Sequence, residues 1–223
     1  MGSPIKPIKV WGKTGPNPPK VSIVLEELGV PYETVPIQLA DVKKPEFTSI
    51  NPNGRVPAIY DPNTDITLWE SGAIVEYLIE KYDTKRQLSF AQGTPEYYHA
   101  KQWLYFQSTG QGPYFGQAAW FIRYHPEQLP SAVERYAKEV NRVSGVLDGY
   151  LAQQKEEFGA GGEGPWLVGN KLSYADLAFV PWQRAIGTIL AKDQYDEDSF
   201  PHLKEWLGKL KSRQSVKKVF DEA

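Results

Sequence analysis

The stretch GPNPPK, Gly15 to Lys20, joins a short apolar run, IKVWG, to a helical pattern, VSIVLEELG, and sets one amide side chain, Asn17, among prolines at the start of that helix. Two roles suit an asparagine there. Asn is among the best N-cap residues and Pro18 fits the first helical position, so Asn17 reads as a cap; its NH2, which capping leaves free, can hold a reactant. The two roles are compatible. A second polar pair, Glu70-Ser71, opens another helical pattern. A hydroxyl and free backbone N–H groups at the positive end of a helix dipole can hold a carboxylate, and Glu70 can take an ammonium. A free α-amino acid head group carries both charges, although the pair reads equally well as a capping serine with an acidic neighbour. The third feature is the Val56-Pro57 step in RVPAIYD. The residue before a proline is extended, and a proline within a strand-like run marks an edge or a cis peptide. With a cis bond the Val56 N–H and C=O face outward, where an extended peptide can pair with them.

Absent residue types narrow the chemistry. The chain has no cysteine, so a thiolate nucleophile, a disulfide, a Cys-based zinc site and an iron-sulfur cluster are excluded, and any thiol chemistry uses a borrowed thiol. The three histidines, His99, His125 and His202, lie far apart and form no metal-spacing motif, so no metal is expected and a His-dependent triad is disfavoured. Lys and Arg are scattered among Asp and Glu at a net charge of −2, which gives no footprint for a nucleic acid or an anionic membrane. No window approaches the roughly 18 to 20 apolar residues of a membrane span, and MGSPIKPIKV lacks the apolar centre of a signal peptide. A cytoplasmic location is the expectation.

The elements that must position these residues fall into two regions. From Pro7 to about Tyr82, short β-like runs alternate with helical patterns in the order β-α-β-α-β-β-α. The first helix, Pro18 to Leu28, places Val21, Val24, Leu25 and Leu28 on one face, with Gly29 and Pro31 as its stop. The last, Ser71 to Tyr82, groups Ile74, Val75, Leu78, Ile79 and Tyr82. Residues 1–86 thus read as a small α/β domain. From about Gly93 the strand signals cease, and residues 93–223 read as all-helical. Ala132 to Leu151 is one long amphipathic pattern, Leu203, Trp206, Leu207 and Leu210 face inward on a final helix, and GAGGEGP, Gly159 to Pro165, is a surface loop. LSYADLAFVPW is apolar on nearly every side and reads as a central helix. Ser173 and Asp176 ahead of it form an S-x-x-D capping box, a structural rather than catalytic role for Asp176.

This order, with the motifs NPNGRVPAI, WESGAIVEYL and WLVGNKLSYADLAFVPW, resembles a cytosolic glutathione transferase over essentially the whole chain. That fold is an α/β thioredoxin-like N-terminal domain followed by an all-α C-terminal helical domain. More narrowly, GPNPPKVSIVLEELG, PEFTSINPNGRVPAI, QWLYFQSTGQGP and SAVERYAKEVNRVSGVLD are similar to the fungal nitrogen-regulator, prion-protein-like class. The Asn-rich tail of the yeast prion member has no counterpart here, so prion behaviour and transcriptional regulation are not carried over.

The resemblance implies that Val56 pairs with the cysteinyl backbone of glutathione, that Glu70 and Ser71 hold its γ-glutamyl group, and that Arg55 is a further contact. Lys43 or, as the preferred candidate, Lys44 would meet the glycyl carboxylate as a point charge. Asn17 takes the position where most such enzymes carry a Tyr, Ser or Cys. An amide neither removes a proton nor acts as a nucleophile, so its role would be to donate an N–H to the thiolate. A hydrogen bond to a charged group contributes roughly 1.5 to 3 kcal/mol, which lowers a thiol of pKa about 8.5 by about 1 to 2 units. The implied activity is conjugation of glutathione, the co-substrate, to a small-molecule electrophile or reduction of a peroxide, in a homodimer. The second substrate is expected between the domains near Trp103, Phe106 and Tyr114. A glutathione-dependent disulfide reductase and a non-catalytic glutathione- or ligand-binding protein are the alternatives.

Overall fold

The computed structural model describes residues 4–159 and 164–221; most of the expected GAGGEGP loop, residues 160–163, lies outside them. The described chain divides into two compact units. The first comprises residues up to Gln87 together with those from Arg213 onward, and the second runs from Leu88 to Ser212.

In the first unit, strands β1 (Ile8–Trp11), β2 (Tyr32–Val35), β3 (Ala58–Asp61) and β4 (Ile66–Trp69) form a sheet in the order β2-β1-β3-β4. Strand β1 alternates as its sequence requires, with Ile8 and Val10 buried. It pairs in parallel with β2, and helix α1 (Asn17–Leu28) supplies the crossover that a parallel pair needs. Helix α1 stops at Gly29, whose left-handed φ of 63° lets its N–H return to the carbonyls of Glu26 and Leu25. The expected stripe of Val21, Val24 and Leu25 is buried, but so is every residue from Val21 to Leu25, while Leu28 is only partly covered. The reason is a third layer. Helix α9 (Gln214–Asp221) packs on α1, burying Val216 and Val219. Arg213 grips Glu27 through two bonds, Nε to Oε1 at 2.6 Å and Nη2 to Oε2 at 2.8 Å, and Lys218 pairs with Glu26 at 2.7 Å. The end of the chain therefore belongs to the first unit, whereas the sequence pattern had grouped residues 93–223 together.

The mixed stretch before Asn51 contains one short helix, α2 (Pro45–Thr48), and helix α3 (Ser71–Tyr82) follows β4 directly. Buried Asp61, at the end of β3, ties α3 to the sheet. Its carboxylate accepts from Tyr77 Oη at 2.6 Å, Tyr82 Oη at 2.5 Å, and the backbone and side-chain amides of Asn63 at 2.8 Å each. Burial pushes this carboxyl up, but the bonds from Tyr77, Tyr82 and Asn63 together outweigh it and hold the group below its ordinary value.

The second unit is helical: α4 (Pro95–Phe106), a π-helical segment (Gln107–Gln111), α5 (Gly112–Arg123), α6 (Pro130–Phe158), α7 (Tyr174–Ile186) and α8 (Pro201–Ser212), with a 3-10 turn at Glu197–Ser199. Helix α7 is the expected central helix, buried from Tyr174 through Gln183. Asp176 accepts from the Ser173 backbone N–H and hydroxyl at 2.9 Å each, and also from Leu167 N–H at 2.8 Å and Trp206 Nε1 at 3.0 Å. The capping box is thus also a tie to α8. Helix α6 extends a turn or more beyond the Ala132–Leu151 pattern at its C-terminal end, because polar residues there continue the helix without an apolar stripe.

Replacing Tyr82 with Phe removes one donor from the Asp61 carboxylate and raises its folded-state pKa. That bond stabilises the fold only above the unfolded carboxylate pKa of about 3.9, so the variant should lose about 1–2 kcal/mol at pH 7 and progressively less as pH falls below 4. Urea unfolding at several pH values measures this; a loss independent of pH would mean that the bond contributes nothing through the ionised carboxylate.

Candidate functional site

The register of the sheet brings the three sequence features together. Trp11 on β1 stands opposite Ala58 on β3, which stands opposite Trp69 on β4. One residue past this row lie Gly12, Pro57 and Glu70, so the β1–α1 loop, the Val56-Pro57 step and the start of α3 share one edge of the sheet.

At the first of these, Asn17 is not the cap that one reading made it. It is the first helical residue, half-buried, and the N-cap position falls to Pro16, which makes no side-chain capping bond. The prolines explain why this position differs from an ordinary helix start. Pro16, Pro18 and Pro19 carry no N–H, so from residue 16 to 19 only Asn17 offers a backbone donor. The positive end of the α1 dipole is presented almost wholly through Asn17, whose NH2 adds two further donors.

The Val56–Pro57 bond is cis, one of the two options its sequence allowed. Val56 precedes β3 and stands outside the paired register. Buried Asn51 shapes the loop before it: its Oδ1 accepts from Asn53 N–H at 2.9 Å and its Nδ2 donates to the Arg55 carbonyl at 2.5 Å. Gly54, at φ 59°, closes the turn with its N–H on the Asn51 carbonyl at 2.8 Å. The Arg55 side chain is exposed. Gly12, at φ 102°, lies against Val56, and a Cβ there would stand 2.6 Å from Val56 Cβ. Glycine is thus required for the β1–α1 loop to approach Val56.

Glu70 precedes α3 with φ 70°, a conformation that costs a non-glycine residue about 1–3 kcal/mol and concentrates at functional sites. Its side chain is exposed, with Asn53 Nδ2 at 3.5 Å from Oε1. Ser71, the first residue of α3, is buried, and its Oγ accepts from Lys20 Nζ at 3.3 Å. Lys20 itself is buried, and burial pushes its ammonium from 10.5 down to about 7, with Glu70 pulling partly back. The sequence reading passed over Lys20. Its signal was available: on α1 it lies three residues from Asn17 and four from Val24, inside the apolar face.

The remaining candidates separate. Lys44 is exposed and paired with Asp41 at 2.6 Å, while Lys43 donates to the Asn53 carbonyl at 2.7 Å and so borders the loop that carries Arg55 and Val56. Lys44 does line a cavity of about 390 Å³ with Trp11, Ile37, Phe47 and Ile50. Within the second unit, Trp103 is a core residue, with ring centroids 4.8 Å from Tyr150 and 5.7 Å from Phe106. Tyr114 is half-buried beside Tyr136, with Arg135 and Arg142 at its ring. Taken together, the sheet edge offers a backbone step at Val56 outside the strand register, a cationic and an anionic group around a serine at a helix start, and an asparagine at another helix start. A hydroxyl at a helix start between groups of opposite charge suits an amino acid head group.

Comparison with known proteins gives the same direction. Residues 6–80 match the family described as glutathione S-transferase, N-terminal domain, and residues 113–214 match glutathione S-transferase, C-terminal domain. The chain is 64% identical to the glutathione S-transferase-like protein gedE of Aspergillus terreus, over 97% of this chain and 96% of that one. It is 37% identical to the transcriptional regulator URE2 of Saccharomyces cerevisiae, over 93% of this chain and 65% of that one. The crystal structure of the glutathione transferase URE2P8 from Phanerochaete chrysosporium with oxidized glutathione superposes with a TM-score of 0.88 at 44% identity, covering 99% of this chain and 96% of that one.

Gly12→Ala should destabilise the protein by at least about 1–3 kcal/mol, since it adds both a strained positive φ and a collision with Val56. Denaturant unfolding measures the loss; an unchanged midpoint would show that the β1–α1 loop can withdraw from Val56 freely.

Proposed function

Because the chain belongs to the glutathione S-transferases, within their Ure2p-like group, we propose that it binds glutathione along the sheet edge of its first unit and stabilises the glutathione thiolate with Asn17. The observation that carries this reading is the helix start stripped of N–H groups on both sides of Asn17. With no cysteine in the chain, the sulfur belongs to the substrate. The Val56 backbone would pair with the cysteinyl residue, Ser71 and the start of α3 would hold the γ-glutamyl carboxylate, Glu70 the ammonium, and Arg55 an outer contact. For the glycyl carboxylate, Lys43 joins Lys44 as a candidate, since it already borders the Arg55 loop.

The chemistry follows from the donor set. Asn17 accepts no proton, so the thiol proton leaves to solvent or buffer, and the amide N–H groups with the helix dipole favour the anion left behind. The thiolate then attacks the electrophilic carbon of an aryl halide or a similar acceptor and displaces its leaving group, or attacks a peroxide oxygen, breaking the O–O bond so that the departing oxygen takes a proton from solvent and leaves as alcohol or water; the glutathione sulfenic acid so formed reacts with a second glutathione to give the disulfide and water. Conjugation is the reading put first.

Reduction of glutathionyl disulfides is a second reading, favoured by the similar Phanerochaete chrysosporium enzyme whose structure holds oxidized glutathione. In that reaction the bound thiolate attacks a mixed disulfide and expels the other thiol as the leaving group. The relative named a transcriptional regulator favours a third, in which glutathione binds without turnover.

Asn17→Ala tests the first reading. Loss of a hydrogen bond to an anion, about 1.5–3 kcal/mol, should lower kcat/KM for an aryl halide by about 10- to 30-fold at pH 7, the upper figure being set by full ionisation of the wild-type complex, and the deficit should shrink toward pH 9, where the free thiol ionises unaided. Wild-type rates from the folded variant at pH 7 would remove Asn17 from the chemistry. A parallel assay with a glutathione mixed disulfide ranks the second reading, and saturable binding of glutathione with no turnover of either substrate selects the third.

A further inference from the structure

Asn51 is 2% exposed and stands between helix α2 and the loop that leads into β3. Its backbone N–H donates to the Phe47 carbonyl at 2.9 Å, and Phe47 packs with Val42 and Ala58 in a small core shared by α2 and β3. From that anchor its side chain holds the loop: Oδ1 accepts from Asn53 N–H at 2.9 Å, and Nδ2 donates to the Arg55 carbonyl at 2.5 Å. The Arg55–Val56 peptide bond is trans, since the cis bonds of the described chain are Val56–Pro57 and Gly164–Pro165. In a trans peptide the C=O and the following N–H point in opposite directions. An Arg55 carbonyl drawn in to buried Asn51 therefore turns the Val56 N–H away from Asn51. Among the described residues that N–H has no hydrogen-bond partner, and the Arg55 carbonyl has none besides Asn51. A half-buried backbone donor of this kind is left for water or a ligand. The two ends of the loop are fixed separately. Gly54 donates its N–H to the Asn51 carbonyl at 2.8 Å and lies so close to Val42 that a Cβ would stand 2.6 Å from the Val42 carbonyl oxygen, while Ala58 is set by the sheet register. Between these ends the orientation of the Arg55–Val56 plane is set by the Asn51 amide.

We infer that Asn51 is a positioning residue for peptide recognition: through the Arg55 carbonyl it aims the Val56 N–H at the cysteinyl carbonyl of glutathione. This rests on the glutathione site proposed above and deepens it, giving the reason why the Val56 donor faces a peptide rather than the core. Without Asn51 Nδ2 the Arg55 carbonyl turns toward water, and the plane, preceded by Gly54 at φ 59°, is free to rotate. The N–H then samples a range of directions, and fixing it on binding carries an entropic cost that the Asn51 bond removes beforehand. Two charged groups border the same loop. Lys43 Nζ donates to the Asn53 carbonyl at 2.7 Å, and Glu70 Oε1 lies 3.5 Å from Asn53 Nδ2. Both meet the loop at Asn53, whereas the Arg55–Val56 plane answers to Asn51.

A cycle with two peptides separates aiming from a general loosening of the loop. The peptides are glutathione and its E-alkene isostere, in which CH=CH replaces the cysteinyl-glycine amide and leaves no carbonyl for the Val56 N–H to meet. Isothermal titration calorimetry gives the dissociation constant of each peptide for the wild type and for Asn51→Ala. The wild type should bind the isostere about 3- to 10-fold more weakly than glutathione, as loss of one hydrogen bond between neutral groups requires. In Asn51→Ala that preference should collapse, the two peptides binding within about twofold of each other. A variant that weakens both peptides by the same factor, or neither, keeps the wild-type ratio and overturns the proposal. The glycyl N–H that the isostere also lacks is missing with both proteins, and any disturbance of Asn53 beside Glu70 is present with both peptides, so each cancels in the ratio. Should the variant not fold, hydrogen exchange in the wild type decides. In the free protein the Val56 N–H should exchange as an open amide while the Asn51 side-chain amide is protected, and glutathione, but not the isostere, should slow Val56. A Val56 N–H already protected in the free protein, or slowed equally by both peptides, contradicts the assignment. If the wild type binds neither peptide saturably, the site itself is wrong and the Asn51 role falls with it. If it binds both equally well, the site stands and the Asn51 role alone is lost.

Discussion

The site depends on one row of residues across the sheet, Trp11 opposite Ala58 opposite Trp69. Strand pairing along this row forces three otherwise distant segments to leave the sheet side by side: the loop into α1, the chain entering β3 through a cis proline, and the turn into α3. A slip of one residue in β3 would turn each of its side chains to the opposite face of the sheet and carry Val56 away from Gly12. Register is therefore held firmly. Ile59 and Ala58 are fully buried, and Asp61 at the far end of β3 is fastened to α3 through Tyr77 and Tyr82. The glycine at position 12 then lets the β1–α1 loop come up against the Val56 side chain.

Given that edge, the electrostatics follow from what has been left out as much as from what is present. Three prolines remove backbone donors around Asn17, and the absence of cysteine leaves the protein without a thiol of its own. At α3 the pattern is the reverse, with charge concentrated around one hydroxyl. Glu70 is held at a positive φ in front of Ser71, and Lys20 reaches that serine from α1. In the proposed site the two helix starts divide the work, one presenting a neutral amide where an anionic sulfur would develop and the other presenting both signs of charge where a zwitterion would sit. Each is fixed by packing well away from the edge, α1 by the α9 layer with its Glu27–Arg213 pairing and α3 by Asp61.

Much of this was legible in the sequence because it is local. Gly29 marked the end of α1, the Val-Pro step carried the signature of a cis bond, and Ser173 with Asp176 marked the start of α7. The features that escaped depend on contacts distant in sequence. Lys20 lies on the apolar face of α1, but its bond to Ser71 shows only once α3 is laid across it, and the two side-chain bonds of Asn51 that shape the Arg55 loop show only in the fold. The return of residues 213–221 to the first unit could not be read from helical periodicity, which shows that a helix has an apolar face and not which partner covers it. Asn17 was ambiguous for another reason: cap and donor call for the same residue type, and only the placement of Pro16 at the N-cap separates them.

The central claim is that an amide at a proline-flanked helix start holds a borrowed thiolate. The measurement closest to it is a titration of bound glutathione by thiolate ultraviolet absorbance, in the wild type and in Asn17→Ala. The account predicts a thiol pKa about 1 to 2 units below the free value of about 8.5 in the wild type, returning most of the way in the variant. A bound thiol that titrates at the same pH with and without the Asn17 side chain would contradict it.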